Sequence, residues 1–162
     1  MICAFTGHRP ERLPWGTDES DARCMALKAL LIETVRELCA DGYRDFLCGM
    51  ARGCDTYFAE CVLAVKQSGF PDITLTAMIP CPTQPSAWTA EERARYETLC
   101  GCCDEVRVLE PAYTEGCMLR RNRTMVDEAD LVISVWDGSL GGTASTVRYA
   151  ERCEKPIRRI WC

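Results

Sequence analysis

Histidine is all but absent: His8 is the only one in 162 residues. One imidazole cannot serve hydroxyls at both ends of the chain, so a serine nucleophile of the triad kind finds no evident base here. No apolar run approaches the length of a membrane span, and no basic segment followed by a long apolar one opens the chain. The expectation is a protein of the cytoplasm with no membrane partner. Repeats and low-complexity tracts are missing too. So are the glycine fingerprint of dinucleotide-binding folds and a glycine run followed by Lys-Ser or Lys-Thr, so neither an ordinary NAD site nor a P-loop is signalled. Nor is there an excess of positive charge. The net charge of -5 argues against nucleic acid as a partner gripped through the whole surface.

What the chain has in excess is cysteine, thirteen residues and an odd number. A disulfide scaffold is not needed, because 162 residues, 48% of them hydrophobic, suffice for one well-buried core. Cys100, Cys102, Cys103 and Cys117 do not have the spacing of a zinc knuckle. The cysteines read as reduced thiols, many packed as small hydrophobes, with no metal site. One domain over residues 1–162 is expected, and a homodimer is compatible with exposed strand edges.

Apolar runs and turn residues alternate along the chain. Strands are expected at Met1–Phe5, Asp45–Cys48, Ile73–Ile79, Val106–Leu109, Leu131–Trp136 and Ile157–Trp161. Helical patterns lie between them, at about Ser20–Ala40, Asp55–Gln67, Trp88–Leu99, Gly116–Glu128 and Thr143–Arg152. Such alternation means right-handed β-α-β units, hence a three-layer, Rossmann-like α/β fold with a mostly parallel sheet. The first and fifth strands are the most uniformly apolar, whereas the fourth and sixth carry arginines inside. The order 4-3-2-1-5-6 satisfies both facts and puts the ligand crevice between strands one and five.

The candidate site residues sit on loops after strands or at helix starts. Thr6, Gly7, His8 and Arg9 follow the first strand; Gly7 allows close backbone approach, Arg9 suits phosphate, and His8 is a hydrogen-bonding or acid–base candidate. Gly49, Gly53 and Asp55 punctuate the next strand-to-helix turn. There Asp55 either caps the helix or reaches a ribose hydroxyl. In the fourth helix Asn122 lies with Met118 and Met125 on the packed side, so its amide needs a partner there. Arg121 adjoins it and is placed to reach over the carboxyl edge of the sheet. Asp130 reads as a backbone cap. Asp137 ends the fifth strand, and Gly141, Gly142 and Thr143 lead into a helix whose free N–H groups suit a phosphate.

Four stretches in register carry a resemblance: Thr6-Gly-His-Arg-Pro10, Gly49-x3-Gly53-x-Asp55, Arg121-Asn122-x2-Met125-Val126-x3-Asp130, and Gly141-Gly-Thr143-x2-Thr146-x3-Ala150. Together they resemble the YpsA-like proteins of the SLOG superfamily of Rossmann-like folds, over essentially the whole chain. The resemblance implies a nucleotide-related ligand under the glycine loop. The wider superfamily includes DNA-processing proteins, pterin cofactor carriers and the Lonely Guy phosphoribohydrolases, which release a base from a nucleoside monophosphate. Met118, Arg121, Met125 and Asp130 match the helix motif of that last group. Its glycine motif, however, is altered: Leu140 stands for the proline, Ala144 for the third glycine and Arg148 for the catalytic glutamate. Losing that carboxylate favours binding over this hydrolysis.

The expected function is therefore binding or sensing of a nucleotide derivative, a nucleoside phosphate or an ADP-ribose-like molecule. Hydrolysis of a glycosidic or phosphate linkage stays open as an alternative, with Asp55 or Asp137 as substitute carboxylate. A nucleic-acid-processing accessory is a further alternative; it would need an exposed basic and aromatic track.

Overall fold

The computed structural model describes residues Met1–Cys162. Six strands form one parallel sheet: β1 (Ile2–Gly7), β2 (Asp45–Cys48), β3 (Thr74–Ile79), β4 (Glu105–Val108), β5 (Leu131–Val135) and β6 (Ile157–Ile160). Its order is β4-β3-β2-β1-β5-β6, as the charge pattern of the strands implied. Five helices connect them: α1 (Ala22–Ala40), α2 (Cys54–Gln67), α3 (Ala90–Cys102), α4 (Cys117–Glu128) and α5 (Gly142–Arg152).

The inner strands β1, β2, β3 and β5 are largely buried because helices cover both faces of the sheet, whereas the edge strands β4 and β6 carry charged residues. On one side α1 and α2 pack against a core that includes Phe5, Phe46, Phe58 and Ile133, with the Phe5 and Phe58 rings stacked 4.3 Å apart. On the other, α4 and α5 close a smaller core around Ala4, Leu47, Met78 and Val132. No helix is long and apolar enough to cross a membrane.

Bounds differ from the expected ones mainly where pairing extends an element. β1 continues to Gly7 because Thr6 and Gly7 pair with Ser134 and Val135 of β5. α3 starts later, at Ala90, since the Thr89 hydroxyl and the Glu92 carboxylate close a capping box there. Asp130 caps backbone as expected, its carboxylate accepting from Ile2 N at 2.7 Å.

The topology places the site. From β1 the chain moves outward through β2, β3 and β4, then returns to lay β5 against the other side of β1. The connections after β1 and β5 therefore leave toward opposite faces, and a crevice opens at the carboxyl ends between them.

Candidate functional site

That crevice encloses about 580 Å³. Of the thirteen residues expected to form a site, nine line it: Thr6, Gly7, His8, Arg9, Asp55, Arg121, Asn122, Gly142 and Thr143. Gly49, Gly53, Asp137 and Gly141 are not part of the lining, but each lies against a residue that is: Arg121, His8, His8 and Arg12.

Two helices begin here without a capping side chain. α5 starts from Gly141 and α4 from Gly116, which lies in the left-handed region at φ 77°. Gly142, Thr143 and Ser145 of α5, with Gly116, Cys117 and Met118 of α4, line the crevice. Two helix N-termini with their partial positive charge thus open on one cavity. Three arginines line it against two carboxylates, Glu11 and Asp55. The site is locally positive in a chain whose sum is -5.

The arginines differ in kind. Arg121, expected to reach over the edge, is instead 3% exposed. Its Nη1 donates to the carbonyls of Gly49 and Met78, the latter at 2.9 Å, and its Nε donates to Asn122 Oδ1 at 2.7 Å. Burial pushes the guanidinium pKa down, opposed by Asp55. Only Nη2 is left for a ligand. Arg9 is exposed and spans toward α4, its Nη2 donating to the Met118 sulfur at 3.2 Å. Arg12, which sequence reading passed over, donates to Ser139 Oγ at 3.3 Å and lies over the backbone of Gly141. Pro10–Arg12 is a 3-10 turn, and a period of three sets Arg12 on the same side as Arg9; that spacing was the available signal. Tyr113 was missed too, because a loop aromatic carries no periodicity.

The amide of Asn122 finds the partner it needed. Its Nδ2 donates to Thr146 Oγ1 at 2.9 Å, and Thr146 Oγ1 donates to Gly142 O at 3.0 Å. A polar relay so joins the buried guanidinium to the first turn of α5. Asp55 faces the crevice, 6% exposed, and accepts from Ala51 N at 3.1 Å. Burial pushes its carboxyl above the usual range, with Arg121 opposing.

His8 is 2% exposed, and its Nε2 lies 2.7 Å from Asp137 Oδ1. Hydrogen bonds from Ser139, ahead of that from His8, hold the Asp137 carboxyl well below its ordinary range. An ionised carboxylate only accepts, so Nε2 carries a hydrogen toward it. The contact holds the ring in one orientation in the crevice lining.

The glycines mostly serve packing. A Cβ on Gly7 would stand 2.5 Å from that of Cys54, so this residue lets α2 approach β1 rather than admitting a ligand. At Gly49 a Cβ would fall 2.5 Å from Arg121 Cζ and 2.9 Å from Asp55 Oδ2. Around Gly142 there is open space within 4 Å. Arg148 is exposed and stands outside the lining. No group of three or more His, Cys, Asp or Glu side chains is arranged to hold a metal ion.

The sheet order, the crevice between β1 and β5, and the glycine-opened helix over it define a Rossmann-like protein. Residues 3–160 match the model of the YspA SLOG family, and the chain belongs to that family. It is similar to the uncharacterized SPbeta prophage-derived protein YoqJ of Bacillus subtilis, 27% identical over 142 residues, which is 79% of this chain and 82% of that protein. A UPF0398 protein of Bacillus licheniformis is 22% identical over 88% of this chain and 78% of its own length. Among solved structures, DNA processing protein A from Helicobacter pylori superposes with a TM-score of 0.64 at 21% identity, covering 98% of this chain. The chain spans 64% of that one. That protein is described as having a single-stranded DNA binding mode.

This last match corrects an expectation. Net acidity does not set nucleic acid aside, because a protein of the same fold binds single-stranded DNA. The physical reason is that net charge is a sum over the surface, whereas a phosphate meets the local field of the crevice.

Proposed function

We propose that the crevice binds a phosphate-bearing nucleotide unit, its phosphate on the first turn of α5 with Arg9 and Arg12 against it. The observation that carries this is the convergence of two uncapped helix N-termini on one positive cavity. Its volume, about 580 Å³, suits a molecule of nucleotide size. Asp55 then faces the ribose, and His8 offers Nδ1 to the sugar or base. Membership in the family supports small-molecule binding in general.

The same chemistry is presented by one unit of a single strand, and two observations favour that source. One is the fold shared with a DNA-processing protein. The other is the exposed aromatic surface at this edge: Tyr113, 63% exposed, on the crevice, and Trp161, 68% exposed, against Gly138 in the turn after β5. Single strands stack their bases on such rings.

Calorimetry with nucleoside mono- and diphosphates, ADP-ribose and oligothymidylates tests both sources. Binding of at least one class is expected, weakened roughly tenfold or more in Gly142→Asp, which puts a like charge at the helix start. Affinity rising with oligonucleotide length selects the strand, and saturation at one nucleotide selects the free ligand. Undiminished binding by a folded Gly142→Asp protein would move the site elsewhere.

A further inference from the structure

A second cavity of about 360 Å³ lies beside the first, among the starts of α2 and α3 and the loop before α1. A wall built from the same two chain segments divides them. Arg9, Glu11, Arg12 and Ala51 face the crevice, whereas their chain neighbours Pro10, Arg52 and Gly53 face the second cavity. The wall is tightly packed: with φ at +81°, Gly53 leaves a Cβ position only 2.8 Å from His8 O and 3.0 Å from Pro10 Cδ.

The chemistry of this second space differs from that of the first. Trp88, Tyr57 and Tyr96 line it, and the Trp88 and Tyr96 rings meet edge to face at 5.4 Å. Its arginines are already matched. Arg52 pairs with Glu11 and, at 3.1 Å, with Glu92; Arg95 pairs with Glu19 and, at 2.8 Å, with Glu60. The lining holds Arg52 and Arg95 against Glu19, Glu91 and Glu92, a balance of one negative charge. A phosphate is disfavoured there. A neutral planar heterocycle is not: rings offer it a face, and fixed guanidinium and carboxylate groups offer donors and acceptors to its edge.

Resting on the nucleotide reading above, we propose that this cavity is a base pocket. It receives the base of the nucleotide that neighbours the one held in the crevice, the strand crossing the wall at the Glu11–Arg52 pair. Trp88 is the stacking platform, and the two cavities together read two consecutive nucleotides of a single strand.

The test measures affinity for thymidine 5′-monophosphate and for a short oligothymidylate, in native protein, Trp88→Ala, Trp88→Phe and Gly142→Asp. Trp88→Ala is expected to lose roughly 5- to 150-fold in oligonucleotide affinity, the range for one stacked base, with mononucleotide affinity unchanged. Trp88→Phe keeps a ring and most of the affinity. Gly142→Asp loses both ligands. Oligonucleotide binding that drops in Gly142→Asp but stays within twofold in Trp88→Ala overturns the base pocket and leaves the crevice reading intact. Native protein that binds the mononucleotide but gains nothing from the longer strand does the same. Native protein that binds neither overturns both.

Discussion

At Gly49 and Gly142 the same residue type answers two different demands. Gly49 has the Arg121 guanidinium and the Asp55 carboxylate directly over its Cα, and neither can retreat, because Arg121 is fixed by carbonyls of β3 and of the loop after β2. Gly49→Ala is therefore expected to cost about 1–3 kcal/mol, as overpacking does. Gly142 has open space and an ordinary backbone conformation, so Gly142→Ala is expected to gain about 0.5–1 kcal/mol from helix propensity. Urea denaturation of the two variants checks the opposite signs. Arg121 itself is a poor binding probe. Removing it leaves the buried carbonyls of Gly49 and Met78 without their donor, at about 1–3 kcal/mol each, so Arg121→Ala should show as lost stability before lost affinity, by thermal melting. Sequence made Arg121 conspicuous but not its burial, which depends on two carbonyls distant in the chain. Arg12 was illegible for the opposite reason: an exposed arginine in a turn looks like any other until Gly141 is folded beneath it.

At the scale of elements, α5 holds the proposed phosphate, and its start is tuned by charge. An acidic side chain in the first turn favours the helix by about 0.3–1 kcal/mol while repelling an anion. Gly142→Asp should accordingly melt at or above the native temperature and yet lose ligand, a pairing that a merely structural role for this turn would not produce. The segments on either side of β5 respond to pH. Asp137, held low by Ser139 and His8, and Glu128, held low chiefly by Arg107 with paired bonds at 2.6 and 2.7 Å, both have depressed carboxyl pKa values in the folded state. A depressed carboxyl contributes stability in full above its unfolded value, about 4, and loses it as pH falls through the folded one. Denaturation midpoints should fall as pH drops below about 4, and the fall should be shallower in Asp137→Asn. Elements were the most legible level in the sequence. Alternating apolar runs and turn residues fixed every strand and helix to within a few residues, and Arg107 and Arg158 marked β4 and β6 as edges. What blurred the bounds was pairing across the sheet, such as Gly7 with Val135, which no local pattern encodes.

Over the whole molecule the crevice exists because the chain reverses direction once. Strands alone imply that reversal, which is why the crevice's position could be read while its electrostatics could not: net charge belongs to the surface, and Arg9, Arg12 and two helix starts converge only in three dimensions. If phosphate contacts dominate affinity, binding to an oligonucleotide should weaken steeply between 50 and 200 mM salt, as counterion release requires. The measurement that tests the central claim most directly is a crystal structure of the protein soaked with a nucleoside 5′-monophosphate. Phosphate density is expected about 3 Å from the N–H groups of Gly142 and Thr143, with an Arg9 or Arg12 guanidinium against it. Phosphate held anywhere else, with the first turn of α5 untouched, would contradict it.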